Sequence, residues 1–190
     1  MEIRWNGQNS FTIKEGKVKV VLDPNENTQK DLVTDDVVIT TGSEKIKGFK
    51  GKVYDWPGEY ETKGVLVYSI PTEYGANEKR VLSFELEGIR ICNLGQLKKP
   101  ITNDQIGELG NVDILIVPLT LKTKDIVEMV EEIDPKMVIL SMIGEPETTL
   151  VADVLKEVGQ EGLAEEDRIV VKTKSDLDSD NIVYKLLSLS

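Results

Sequence analysis

Histidine is absent from this 190-residue chain. That absence excludes a histidine-ligated zinc hydrolase and every mechanism that needs an imidazole as base or proton shuttle. Cysteine is nearly absent too: Cys92 stands alone, so no internal disulfide can form. Set in Arg90-Ile-Cys-Asn-Leu94, it reads as a small buried hydrophobe, because a reactive thiol needs a nearby base or a positive field. No apolar run approaches the ~20 residues that span a bilayer, and no basic segment leads into an apolar run with a small-residue cleavage site. The expected location is therefore cytoplasmic, with no membrane partner. Positive charge is scarce: 23 Lys and Arg face 34 Asp and Glu, a net charge of −11. A field of that sign repels phosphate backbones, which disfavours nucleic acid as a partner. Gly-x-Gly-x-x-Gly and Gly-Lys-Ser/Thr phosphate loops are missing as well.

What is present is mostly β in the first half. Glu2–Lys14 sets two extended segments around Asn6-Gly7, a pair that favours the positive φ of a tight hairpin turn. Glu15-Gly16 makes a second turn before Val18–Leu22, a β-branched run that stops at Asp23-Pro24. Asp36–Thr41, Gly64–Ile70, Arg80–Leu86 and Ile89–Cys92 continue the pattern, with Glu87-Gly88 as a further turn. After Pro100 the period changes. Thr102 or Asn103 caps a short helix that Gly110 ends, and Val112–Pro118 is a near-continuous apolar strand of the doubly buried kind. Thr123 is the expected N-cap of a helix carrying Ile126, Val127, Val130 and Ile133 on one face and stopping at Asp134-Pro135. Met137–Leu140 is a buried strand, and Leu150, Val151, Val154, Leu155 and Val158 form a helical face closed by Gly159. Arg168–Lys172 and Ile182–Leu187 finish in β, with a polar loop between them. Trp5 and Trp56 are expected to anchor core or hairpin contacts. No repeat or low-complexity tract interrupts this order. One domain over residues 1–190 is expected, an α/β (α+β) arrangement of two sheets packed face to face with helices outside.

Several segments in this order resemble the metallo-β-lactamase fold family, in particular its compact bacterial members of the L-ascorbate-6-phosphate lactonase type. They are Trp5–Phe11, Val21–Pro24, Asp36–Ser43, Pro57–Val65, Ile91–Gln96, Leu109–Pro118 and Asp134–Ile139, about the first three quarters of the chain. The resemblance implies a four-layer αββα sandwich of mixed sheets. It also implies a zinc site whose ligands this sequence lacks. The first family histidine, in a Trp-x-Gly-His turn, is Gln8. The His-x-His-x-Asp-His motif falls on Thr41, Ser43, Lys45 and Ile46. A later loop histidine corresponds to Tyr74, the bridging aspartate to Gln96, and the last histidine lies near Met142. With an ammonium where the carboxylate belongs, zinc has neither charge balance nor soft donors.

No metal, no cofactor and no catalytic residue are therefore expected, and the resemblance implies a pseudoenzyme that binds a protein partner, itself or a small anionic ligand. Lys45 with Thr41 and Ser43 could take such an anion, or all three could be solvated at strand ends. The competing function is a hydrolase of the same fold with a non-histidine site. Asp23, Asp55, Glu59, Glu61 and Glu73 are the carboxylates it would draw on. Asp23 reads first as a turn residue and Glu59 with Glu61 as a solvent-facing strand edge. Lys45, Lys47, Lys50 and Lys52, interleaved with Ile46 and Phe49, read as a solvated loop or edge.

Overall fold

The computed structural model describes residues 1–42, 46–73, 79–141 and 148–190. Its strands are β1 (Glu2–Trp5), β2 (Phe11–Glu15), β3 (Val18–Leu22), β4 (Val37–Ile39), β5 (Val53–Tyr54), β6 (Gly58–Thr62), β7 (Val65–Glu73), β8 (Lys79–Leu86), β9 (Ile89–Asn93), β10 (Ile114–Pro118), β11 (Met137–Ser141), β12 (Glu165–Glu166), β13 (Ile169–Val170) and β14 (Val183–Leu187). Its helices are α1 (Asn103–Leu109), α2 (Thr123–Ile133) and α3 (Thr148–Glu157). They form a six-stranded sheet in the order β13-β1-β2-β3-β4-β5 and an eight-stranded sheet in the order β12-β14-β11-β10-β9-β8-β7-β6. The mixed α/β sandwich expected from the sequence is the observed fold.

Alternation along the strands explains why the two sheets face each other. Ile3, Phe11, Ile13, Val20, Leu22, Val37 and Ile39 of the smaller sheet meet Val65, Val67, Leu82, Phe84, Ile91, Ile116 and Ile139 of the larger one in a shared core. Burying each such side chain contributes roughly 1.5–3 kcal/mol. The opposite face of the larger sheet presents Cys92, Leu115, Val117, Val138 and Leu140, and these pack against Leu109 of α1, Ile126, Met129 and Val130 of α2, and Val154 and Leu155 of α3. A 3₁₀ turn, Thr28–Asp31, follows β3, and Lys19 Nζ of the smaller sheet donates to Asp31 O at 3.2 Å. Among the described residues no helix is long and apolar enough to cross a membrane.

The details depart from the sequence expectations in three places. The Asn6-Gly7 turn is a five-residue connection between β1 and β2, with both Gly7 (φ 92°) and Gln8 (φ 53°) left-handed. The N-cap of α2 is Lys122, and Thr123 is already helical. The polar loop before β14 contains a 3₁₀ turn, Lys174–Leu177, whose Leu177 joins the core.

What matters for function is strand direction. β3 runs parallel to β4 in one sheet, and β9, β10 and β11 run parallel in the other. Asp23 after β3, Thr41 after β4 and Gln96 after β9 line one cavity, so these carboxyl ends open on the same side, where an α/β sheet presents its crevice.

Candidate functional site

Four loops converge there. The β1–β2 turn is held from three directions. Trp5 Nε1 donates to Gln8 O at 2.8 Å, Ser141 Oγ at the end of β11 donates to the same carbonyl at 3.3 Å, and Asn25 Nδ2 donates to Asn6 O at 2.6 Å. Beyond β3, Asp23 adopts φ 39° and directs its carboxylate at the end of β4. There Oδ1 accepts from Thr41 N at 2.7 Å, and Oδ2 accepts from Thr41 Oγ1 at 2.7 Å and from Asn9 Nδ2. Beyond β9, Asn93 Oδ1 accepts from Gly95 N at 2.9 Å and turns the chain against Thr41. Gly95 has φ 66°, and a Cβ there would lie 2.9 Å from Thr41 Cβ, so only glycine permits this approach.

The fourth contributor is the start of β8. Arg80, 2% exposed, donates from its backbone N to Thr41 O at 2.9 Å and from Nη1 to Thr40 O and Gly42 O at 3.3 Å each. One residue thus holds three successive carbonyls at the end of β4.

These loops enclose a cavity of about 100 Å³ lined by Gln8, Asn9, Asp23, Asn25, Thr41 and Lys79 among others. Burial pushes the Asp23 carboxyl up to about 6, outweighing the hydrogen bonds from Thr41 and Asn9 and the nearby Lys79 charge. Asn9 is 2% exposed, and its Oδ1 has no hydrogen-bond partner among the described residues.

Of the positions singled out in the sequence, the structure brings Gln8, Thr41, Ile46 and Gln96 to this cavity. Ser43, Lys45, Tyr74 and Met142 lie outside the described residues. Asp23, read first as a turn residue, is both a turn and the anchor of Thr41. Asp55, Glu59 and Glu61 are exposed, and the two glutamates lie on β6, the edge of the larger sheet, as the alternation suggested. Trp5 is buried in the core. Trp56, 40% exposed, packs with Tyr54 and Tyr60, and Lys52 Nζ lies 5.3 Å from its ring centroid. Sequence reasoning missed Asn9, Asn25, Lys79 and Arg80. The one signal available for the last two was a pair of adjacent cations opening the strand that continues Val81-Leu-Ser-Phe-Glu-Leu86.

The sequence model of the Beta-lactamase superfamily domain matches residues 2–141, with the loops from Gln8 to Ser141 inside the match. The chain belongs to the beta-lactamase superfamily. Comparison with curated protein sequences returns no match. Among solved structures, a metallo-β-lactamase superfamily protein from Thermotoga maritima is similar at a TM-score of 0.80 and 24% identity, covering 98% of this chain and 99% of its own. An isothiocyanate hydrolase from Delia radicum gut bacteria gives 0.66 at 11% identity, covering 90% of this chain and 99% of its own. A metallo hydrolase from Ignicoccus hospitalis gives 0.63 at 12%, with the same coverages of 90% and 99%. At these identities the likeness is one of fold.

Metal chemistry is what the superfamily fold implies, and the described residues do not fit it. Zinc is held by thiolates, imidazoles and carboxylates. Among the described residues the cavity offers neutral amides and hydroxyls, an ammonium from Lys79, and one carboxylate whose two oxygens are engaged by Thr41 and Asn9. Among the described residues no group of three or more His, Cys, Asp or Glu is placed to hold a metal. Cys92 is buried on the helix side of the larger sheet, and burial pushes its thiol well above the usual range.

Proposed function

We propose that this chain is a pseudoenzyme of its superfamily, a binding module of the L-ascorbate-6-phosphate lactonase-like branch that works without zinc. The observation that carries the reading is the state of Asp23. Asp23, the only carboxylate lining the first cavity among the described residues, accepts from Thr41 on both oxygens and from Asn9 on Oδ2, so its role is to order the loop at the end of β4, and one carboxylate alone does not make a metal site. Around it the polar lining suits recognition of a ligand by hydrogen bonds. The branch assignment rests on the sequence segments from Trp5 to Ile139 and on the ligand positions they align. Gln8, Thr41, Ser43, Lys45, Ile46, Tyr74, Gln96 and Met142 are then degenerate zinc positions. The net charge of −11 supports a module that avoids nucleic acid, and a cytoplasmic location is part of the same proposal.

A metal-free hydrolase would have to run on Asp23 and Thr41. Thr41 is 3% exposed, and its hydroxyl is committed within the loop, donating to Asp23 Oδ2 and accepting from Asn9 Nδ2. The test is elemental analysis of tag-free protein by plasma mass spectrometry after dialysis with and without Zn²⁺ and Mn²⁺. Metal far below one ion per chain in both samples is the expected result. One tightly held ion per chain would overturn the proposal.

A further inference from the structure

A second cavity, of about 190 Å³, adjoins the first. Thr72, Lys79, Gln96, Lys98, Lys99 and Thr102 furnish its polar lining. Lys79 and Gln96 line both cavities, so the two are lobes on either side of that pair. The volumes together approach the ~300 Å³ of the smallest small-molecule sites.

The charge of the second lobe runs against that of the protein. In a chain with 34 acidic and 23 basic residues, it gathers three ammonium groups and, among the described residues, no carboxylate. None of the three lysines has a hydrogen-bond or ion-pair partner among the described residues, whereas Lys19, Lys63, Lys174 and Lys185 each pair with a carboxylate. Lys98 and Lys99 are exposed, and the Lys79 ammonium is shared with the first lobe, where it acts on the Asp23 carboxylate; three like charges around one hollow repel one another, and an anion between them relieves that repulsion.

The lysines also sit on a fixed frame. Leu97 and Ile101, buried on either side of Lys98–Pro100, pin the segment to the core. Leu97 O accepts from Thr120 Oγ1 at 2.7 Å. On the far wall the Thr102–Gln105 capping box closes α1, and Gln105 Nε2 donates to Pro71 O at 2.9 Å. Thr72 Oγ1 is buried there without a hydrogen-bond partner among the described residues.

We infer that Lys79, Lys98 and Lys99 form a metal-free oxyanion site, which holds the multiply charged group of a small ligand while its uncharged polar part extends past Gln96 toward Gln8, Asn9 and Asn25. This deepens the binding-module reading, since it names the ligand class of the same site. The positive charge that a metal supplies elsewhere in the fold comes here from β8 and the loop after β9. Phosphate and polycarboxylate share the required chemistry. Lysine, a point charge without the planar fork of arginine, suits the phosphate tetrahedron at least as well as the carboxylate plane.

The test uses the full chain, treated with chelator, titrated with inorganic phosphate and in parallel with citrate, and followed by amide chemical shifts. Saturable binding of one or both is expected, with shifts at Gln96, Leu97 and Thr102. Affinity should fall about tenfold or more in Lys79→Met and in Lys98→Met/Lys99→Met. Lys124→Met/Lys156→Met removes the same charge from the exposed faces of α2 and α3 and should leave binding unchanged. Absence of saturable binding, or equal losses in the site and control variants, would overturn the inference. Phosphate binding that appears only after Zn²⁺ is restored would instead overturn the zinc-free reading of the fold.

Discussion

At Asp23 burial and hydrogen bonding pull in opposite directions. Three donors from Thr41 and Asn9 favour the carboxylate, while burial favours the neutral acid and brings the group to about 6 from 3.8. A carboxyl with a raised folded-state pKa holds its proton more tightly in the native state, so its ionisation works against folding. The cost is absent below about pH 4, grows as pH rises toward 6 and is complete above that, reaching about 3 kcal/mol. Asp23→Asn removes the charge and keeps an acceptor for Thr41 N. It also lets the Asn9 amide turn, so that its partnerless Oδ1 accepts from the new side-chain amide. The expected outcome is a variant whose melting temperature, followed by circular dichroism, gains on the wild type as pH is raised from about 4 to about 7. A gain that shrinks over that interval would mean that the hydrogen bonds to the anion outweigh its burial.

At the scale of elements, α2 begins without a side-chain cap. Lys122 has the extended geometry of an N-cap (φ −67°, ψ 146°) but places a cation at the positive end of the helix. Lys122→Asp supplies both the acceptor and the charge, and should add about 1 kcal/mol to the urea unfolding free energy with an unchanged m-value. The sequence suggests Thr123 for this role because cap preference is read from residue type, whereas the chain turns one residue earlier, after buried Leu121. Thr102 is the opposite case, since its side chain and that of Gln105 form the capping box of α1. Long β-branched runs made most strands legible, apolar faces did so for α2 and α3, and the cap candidates with Gly110 for α1. Two-residue β5 and β12 are too short to leave a period. The cavity was legible only in part, at Gln8, Thr41, Ile46 and Gln96, through family resemblance. In the sequence Arg80 stands only as the first residue of a strand, and it is buried because the end of β4 supplies carbonyls 40 and 42 from far along the chain. Lys79, Lys98 and Lys99 meet only when β8 pairs with β9.

Across the whole molecule, a charge of −11 on 190 residues makes the folded state repel itself. Raising NaCl from about 0.01 M to about 0.15 M shortens the Debye length from ~30 Å to ~8 Å and should raise the melting temperature. A melting temperature that falls would show that the surface ion pairs, such as Lys63–Asp35 and Lys185–Glu166, outweigh the repulsion. The two-sheet frame also separates the chain's two indoles. Trp5, 9% exposed, donates to the Gln8 carbonyl at the cavity wall, while Trp56, 40% exposed, lies with Tyr54 and Tyr60. The fluorescence of the chain therefore has two components, a blue one from an indole shielded from solvent and a redder one open to collisional quenchers. Acrylamide silences the second first, and the light that remains comes from the wall of the cavity itself.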